Sequence, residues 1–342
     1  MTRQNSPAPR RTKPRWLSLL ILFAAIGMMG VVWNTHSGSQ RPQADRRDFR
    51  KASRRAVPAI TSVADAPNST GDIRQTSGTN QSALVATLAV AESPALPADP
   101  HRSALQSALA LLEKGRERLK STNHYTATFI KQERVGDELT EGDVTEIKVR
   151  HEPFGVYMKW VECDEGQEVL YVDGTNEGKL LLKQVGWKAR LLPLVSLDPH
   201  CVLAMSQSRY PVTQMGLLRL VETLITDRRR DLETNAALKC QLFNDVVCED
   251  RTCYRFIMEY GSPDVSATYR KSDLYIDKEY SVPIKITNFT WPEQDWGDDW
   301  GCEEMDDETL IEYYCYSDLT LGAKLSDLDF DRSNDEYGFE KK

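Results

Sequence analysis

The sequence predicts an α+β fold: a curved antiparallel β-sheet closed by helices, preceded by a single N-terminal transmembrane helix and a disordered linker. Three observations lead there. Runs with a period of two, above all Phe154, Val156, Met158 and Trp160, mark half-buried strands. The connections between such runs are too short for parallel crossovers, so neighbouring strands pair antiparallel. One uncharged apolar stretch, residues 16–32, is long enough to cross a hydrocarbon core.

The elements follow in chain order. Residues 1–15 form a basic tail with Arg10, Arg11, Lys13 and Arg15, which favours a cytoplasmic N-terminus. As a helix, residues 16–33 span roughly 27 Å, with Trp16 and Trp33 where an aromatic belt places them. Arg41, Arg46, Arg47, Arg50 and Lys51 follow, so the positive-inside comparison is nearly even. The competing reading is a cleaved signal peptide with Thr35 and Ser37 before the cut. The stretch exceeds the usual signal core and lacks an Ala-x-Ala site, which favours an anchor in the inner (cytoplasmic) membrane over secretion. Either outcome exports the rest of the chain.

Residues 34–100 are rich in Ser, Thr, Ala, Pro, Gln and Gly, with Phe49 as their only aromatic residue. Such a linker cannot bury enough apolar surface to offset its ordering entropy, and as a flexible coil it reaches roughly 45 Å. The globular part is residues 101–342. In residues 103–120, Leu105, Leu109, Leu112 and Leu119 share a helical face, with Ser103 as the expected N-cap. Tyr125, Ala127 and Phe129 then alternate with Thr126 and Thr128. Further strands are expected at 168–172, 179–184, 254–260, 274–276, 284–290 and 310–316. A second helix fits 213–226, with Leu217, Leu220, Val221, Leu224 and Ile225 on one face.

Charge narrows the partners. Residues 1–100 carry 13 Lys+Arg and 6 Asp+Glu, whereas residues 101–342 carry 30 and 45. An acidic globular part repels phosphate backbones, so nucleic acid is excluded, and the basic leader suits an anionic membrane surface.

The chain shows no catalytic set. None of its five His residues has a metal-ligand spacing, and no nucleophile elbow or phosphate loop occurs, so neither cofactor nor metal is expected. The string Arg150-His151-Glu152-Pro153-Phe154 places ionisable side chains before a Pro-set strand, suited to an anionic head group at a cavity mouth or to a solvated strand end. Arg209-Tyr210-Pro211 reads the same way, or as a positioning turn. The candidate ligand-binding residues are therefore Arg134, Arg150, His151, Phe154, Trp160, Arg209 and Tyr210. The acidic stretch 293–308 carries Trp296 and Trp300 as a candidate interaction loop. Its carboxylates lack the alternation of a Ca²⁺ loop. All seven Cys lie in the globular part. Export permits disulfides, with Cys240, Cys248 and Cys253 near enough to pair locally and Cys302 placed to close the acidic loop with Cys315.

Three stretches resemble the half-barrel family of periplasmic lipoprotein carriers and sigma-factor regulators, the LolA, LolB and RseB type. They are Tyr125-Thr-Ala-Thr-Phe-Ile-Lys-Gln-Glu-Arg134 after the leading helix, the run from Asp273 to Ile286, and the run from Tyr316 to Phe330. A more specific resemblance is to a bacterial family known only as domain of unknown function 1571. It is carried by Ile130-Lys-Gln-Glu-Arg134, Val149-Arg-His-Glu-Pro-Phe-Gly-Val-Tyr-Met-Lys-Trp160, Gly166-Gln-Glu-Val-Leu-Tyr171, Leu191-Leu-Pro-Leu-Val-Ser-Leu-Asp-Pro199 and Ser208-Arg-Tyr-Pro211. The resemblance implies a LolA-like half-barrel and no assigned activity. The leading expectation is a non-enzymatic binding domain for a lipid, an acyl chain or another hydrophobic ligand. The alternative is a protein-interaction or sensory module of the cell envelope, with an envelope protein as partner.

Overall fold

In a computed structural model, residues 99–234, 236–293 and 302–340 are described. The expected anchor at 16–33 and the linker, up to residue 98, lie outside them, as do Trp296 and Trp300. Among the described residues no helix is long and apolar enough to cross a membrane.

The first element of the described residues is helix α1 (Pro100–Ser121), capped by Asp99, whose carboxylate accepts the His101 N–H at 3.0 Å. Ser103, the expected cap, lies inside the helix. Pro100 suits the first helical position, where a missing N–H costs nothing, and this moves the cap four residues earlier. Strands β1 (His124–Val135), β2 (Glu138–Leu139), β3 (Asp143–Arg150), β4 (Gly155–Trp160), β5 (Glu168–Val172) and β6 (Leu180–Lys183) follow. A six-residue helix α2 (Gly186–Leu191) leads to β7 (Leu194–Leu197). After α3 (Leu217–Glu233) come β8 (Leu238–Cys248), β9 (Arg251–Tyr260), β10 (Lys271–Asp277), β11 (Pro283–Phe289), α4 (Cys302–Thr309) and β12 (Leu310–Leu321).

All pairings are antiparallel, in the order β7-β6-β5-β4-β3-β1-β12-β11-β10-β9-β8, with β2 a short partner of β1. The topology explains the helices. The first half meanders from β1 out to β7, and the second returns from β8 inward until β12 closes against β1. The connection from β7 to β8 must therefore cross a face of the whole sheet. It does so as an irregular strap, residues 198–216, followed by α3.

One face of the sheet is covered by α1, α3 and the strap. Ala108, Leu112 and Leu119 of α1 and Leu217, Val221 and Ile225 of α3 are buried against Tyr125, Phe129, Val149 and Val156. The second helix begins at Leu217 rather than 213, because Val212–Gln214 is a separate 3-10 turn and Gly216 holds φ +103, a left-handed value that interrupts the helix.

The opposite face of β4–β6 carries a second core. Phe330, Tyr337 and Phe339 from the C-terminal tail pack on Tyr157, Leu170, Val172 and Leu181. The Tyr157 and Tyr337 rings stack at 3.8 Å, and Phe339 meets Tyr337 edge-on at 85°. This explains why all five residues of β5 are buried, where a one-sided strand would alternate.

The expected disulfides are not formed: all seven cysteines are free thiols. Cys302 is exposed on α4, whereas Cys315 is buried in the middle of β12. Cys240 lies opposite Met258 and Cys253 opposite Val246, so the alternation of β9 puts Cys240 and Cys253 on different faces. Cys248 and Cys253 share a face but sit diagonally rather than directly opposite each other. Burial pushes the Cys240 thiol up to about 11 and those of Cys248 and Cys253 up to about 12, so none supplies thiolate at neutral pH.

Candidate functional site

The alternation of β1 carries Tyr125, Ala127 and Phe129 onto the helix-covered face, and the same parity brings Glu133 there. Glu312 of β12 is its direct cross-strand partner. Each is only 2% exposed, so two buried carboxylates stand side by side. Such a pair persists only if its charge and lone pairs are met by donors.

The strap supplies most of them. Arg209 donates from Nε to Glu312 at 2.9 Å, from its backbone N–H to Glu133 at 3.0 Å, and from Nη1 to the Arg134 carbonyl at 3.0 Å. The Tyr210 hydroxyl donates to Glu312 at 2.7 Å. From the β9–β10 connection Tyr269 reaches Glu312 at 3.1 Å, and from β11 the Asn288 amide donates to it at 2.8 Å. Tyr314 hydrogen-bonds Glu133. Burial and the neighbouring carboxylates raise the pKa of the Tyr210, Tyr269 and Tyr314 phenols, which keeps all three as donors. Lys131 donates to the Gln207 carbonyl at 3.1 Å and to Ser208 Oγ at 2.8 Å, and pairs with Glu133 at 3.4 Å. Trp160 joins through its indole N–H, 3.2 Å from Asp143, itself 3.8 Å from Lys131. Burial raises the Asp143 pKa, opposed by Lys131 and that indole.

The strap is fastened a second time at the other end of β1. The Leu217 N–H donates to Tyr125 Oη at 3.0 Å. The two fastenings lie eight residues apart on β1, roughly 27 Å along the strand. Between them Val212 and Met215 pack on the main core, while Val202 and Leu203 of the outgoing limb are exposed.

Of the candidate residues, Arg134, Trp160, Arg209 and Tyr210 come together at this polar latch. The Arg134 guanidinium is bound by the carbonyls of Leu310, Asp137 and Glu308. Arg150, His151 and Phe154 stand at the other end of β1. Arg150 pairs with Asp327 at 2.7 Å, donates to the Pro153 carbonyl at 2.9 Å and lies 4.7 Å over the Phe330 ring. Phe154 packs on Tyr171 with ring centroids 6.1 Å apart. The residues that sequence reasoning missed are Glu133, Glu312, Tyr269, Asn288 and Tyr314. The available signal was a carboxylate on the buried parity of an otherwise apolar strand.

His151 lies 5.6 Å from the Tyr125 ring, and burial, reinforced by His124, lowers its pKa to about 4. It therefore offers no positive charge at neutral pH. The unfolded chain takes this proton near pH 6.5, so stability present above that pH is lost as pH falls towards about 4. Urea unfolding at pH 7 and about pH 4.5 checks this: wild type should lose about 2 kcal/mol more than His151→Gln. Equal losses in the two proteins would remove His151 from the account.

No curated protein matches the chain. Among solved structures it is similar to MucB in the Pseudomonas aeruginosa MucA/MucB complex, at 15% identity over 66% of this chain and 60% of that one, with a TM-score of 0.37. It thus spans about three fifths of that protein. It is also similar to the Mycobacterium tuberculosis lipoprotein LppX, at 12% identity over 65% of this chain and 98% of that one (TM-score 0.37). A LolA superfamily protein from Nitrosomonas europaea shares 14% identity over 66% and 97% (TM-score 0.25). Two of the stretches that carry the resemblance, residues 130–134 and 208–211, meet in space at the latch, where Lys131 holds Ser208 and Arg209 holds Glu133. Residues 122–339 match the model of the family described as "Protein of unknown function (DUF1571)", and the chain belongs to that family.

Proposed function

We propose that the chain is a non-enzymatic, membrane-anchored binding domain held outside the cytoplasm, which takes a lipid, an acyl chain or another hydrophobic ligand on the strap-covered face of its sheet. One observation carries this reading. A strap without regular helix or strand over most of its length packs Val212 and Met215 on the main core, and it is fastened by polar contacts at Arg209 and where it enters α3 at Leu217. A strap so held can lift as a unit, and the surface beneath it then suits an apolar occupant. In the same reading, residues 16–33 anchor the chain in the inner membrane, or are removed as a signal to leave a secreted form.

Lipid extraction and mass spectrometry of the purified globular part, residues 99–342, test the proposal together with displacement of a hydrophobic dye. The expected result is co-purifying lipid, and about tenfold tighter dye binding in Arg209→Gln as the open form becomes more populated. No lipid and no displaceable dye would sink it.

A second reading, an interaction module using the loop with Trp296 and Trp300, draws support from Asp306 of α4. Arg270 and Lys271 hold this carboxylate at 2.5 and 2.6 Å, which fixes one end of that loop against the sheet. Trp296→Ala with Trp300→Ala should then abolish co-purification of an envelope partner.

A further inference from the structure

Helix α2 and the residue after it present an unusual surface. Trp187 is 50% exposed, Leu191 70% and Leu192 59%, within six consecutive residues. Trp187 and Leu191 are four residues apart in a helix and so share one face. Lys188 and Arg190 sit among them, both exposed, and among the described residues neither has a carboxylate partner. From residue 179 to 197 the chain holds four cations and no carboxylate; Lys179 and Lys183 pair with Glu177 and Glu168, which leaves Lys188 and Arg190 as the charge this surface presents. A cleft of about 600 Å³ opens beside the helix, with Ala189, Pro193, Leu194 and Phe339 on its wall next to the Arg332–Glu340 pair.

We propose that this corner is a docking element for a membrane surface bearing anionic head groups. Large apolar side chains left in water are costly unless something covers them, and the choice of cover follows from the charges. Trp and Leu side chains interleaved with unpaired Lys and Arg match the head-group boundary, where indole rings settle and each cation gains from anionic lipid. An acidic domain has few places from which to approach such a surface, and α2 supplies one. Docking here would orient the sheet against the bilayer and fix which edge faces lipid. The inference is independent of the strap and holds whether or not residues 16–33 remain attached.

The test uses the full chain reconstituted in vesicles of phosphatidylcholine with phosphatidylglycerol, and in vesicles of phosphatidylcholine alone. Amide hydrogen exchange is read over residues 186–192, with β9 as an internal control. The expected result is about tenfold slower exchange at α2 in the anionic vesicles and no change in β9. Added salt and the variant Lys188→Glu with Arg190→Glu should both abolish the difference. Equal exchange in the two vesicle types would overturn the proposal, as would undiminished protection in the charge-reversed variant. Protection that instead grows with protein concentration in detergent, without vesicles, would assign the surface to a second copy and overturn it as well.

Discussion

Replacing Glu312 by Ala is expected to destabilise the globular part by about 3–5 kcal/mol. The carboxylate accepts hydrogen bonds from Arg209, Tyr210, Tyr269 and Asn288, and its removal leaves those groups without their acceptor. The Arg209 guanidinium then stays partly buried without its carboxylate, while Glu133 keeps Lys131 and Tyr314. The cost of breaking such a cluster comes from the groups left behind, and exceeds what the pair itself contributes when intact. Thermal unfolding of residues 99–342 provides the measurement, with an expected fall of about 10 °C for a domain of this size. Glu177→Ala makes a suitable contrast. Its ion pair with Lys179 is short, at 2.6 Å, but both partners lie in solvent, so the change should leave the unfolding temperature where it is. A Glu312→Ala loss below about 1 kcal/mol would show that the latch is slack. The double variant Arg209→Met with Glu312→Leu should recover only the part of the loss that comes from the unpaired guanidinium, because Tyr210, Tyr269 and Asn288 still lack their acceptor.

The fold was legible wherever one face of an element decides its pattern. Leu105, Leu112 and Leu119 marked α1, and Val156, Met158 and Trp160 marked β4, because each set faces a single core. Legibility failed where two surfaces compete for one strand. Tyr157 sits between Val156 and Met158 and is buried too, under Tyr337, a residue 180 positions later that no local pattern announces. Strand β8 was missed for a related reason. It is an edge strand with a bulge between Phe243 and Val246, and the bulge breaks the period of two. The site was half legible. Arg209 and Tyr210 stand out as a polar pair before a proline, yet their partners Glu133 and Glu312 are more than 70 residues away in opposite directions. Only the register of β1 on β12 makes those two carboxylates neighbours, and register is set by the assembled sheet. Arg150 shows the converse. Its charge looked free for a ligand, but the closing run that carries the LolA-type resemblance folds back to place Asp327 and Phe330 upon it.

Gly115 supplies a case in which local propensity and tertiary packing predict opposite signs. It lies inside α1, where changing Gly to Ala in an exposed helix gains about 1 kcal/mol. Here a Cβ would stand 2.0 Å from the Ser281 carbonyl oxygen and 2.9 Å from its carbon. Both are backbone atoms, so no side chain can rotate away. Nor can the turn retreat easily. Ser281 itself holds φ +60, its N–H donates to the Asp277 carbonyl at 2.8 Å, and the Asp277 carboxylate is gripped by Arg251 at 2.7 Å. The helix must move instead, which would loosen Leu112 and Leu119, both fully buried in the main core. Overpacking of this kind costs about 1–3 kcal/mol and occasionally more, and a backbone obstacle places Gly115→Ala at the upper end, about 3 kcal/mol net. Urea unfolding of residues 99–342 decides between the two signs. A variant as stable as wild type would mean that α1 rides loosely on the β10–β11 turn, whereas the expected loss, with the far-ultraviolet helix signal retained, would mean that Gly115 is there to let the helix touch the turn.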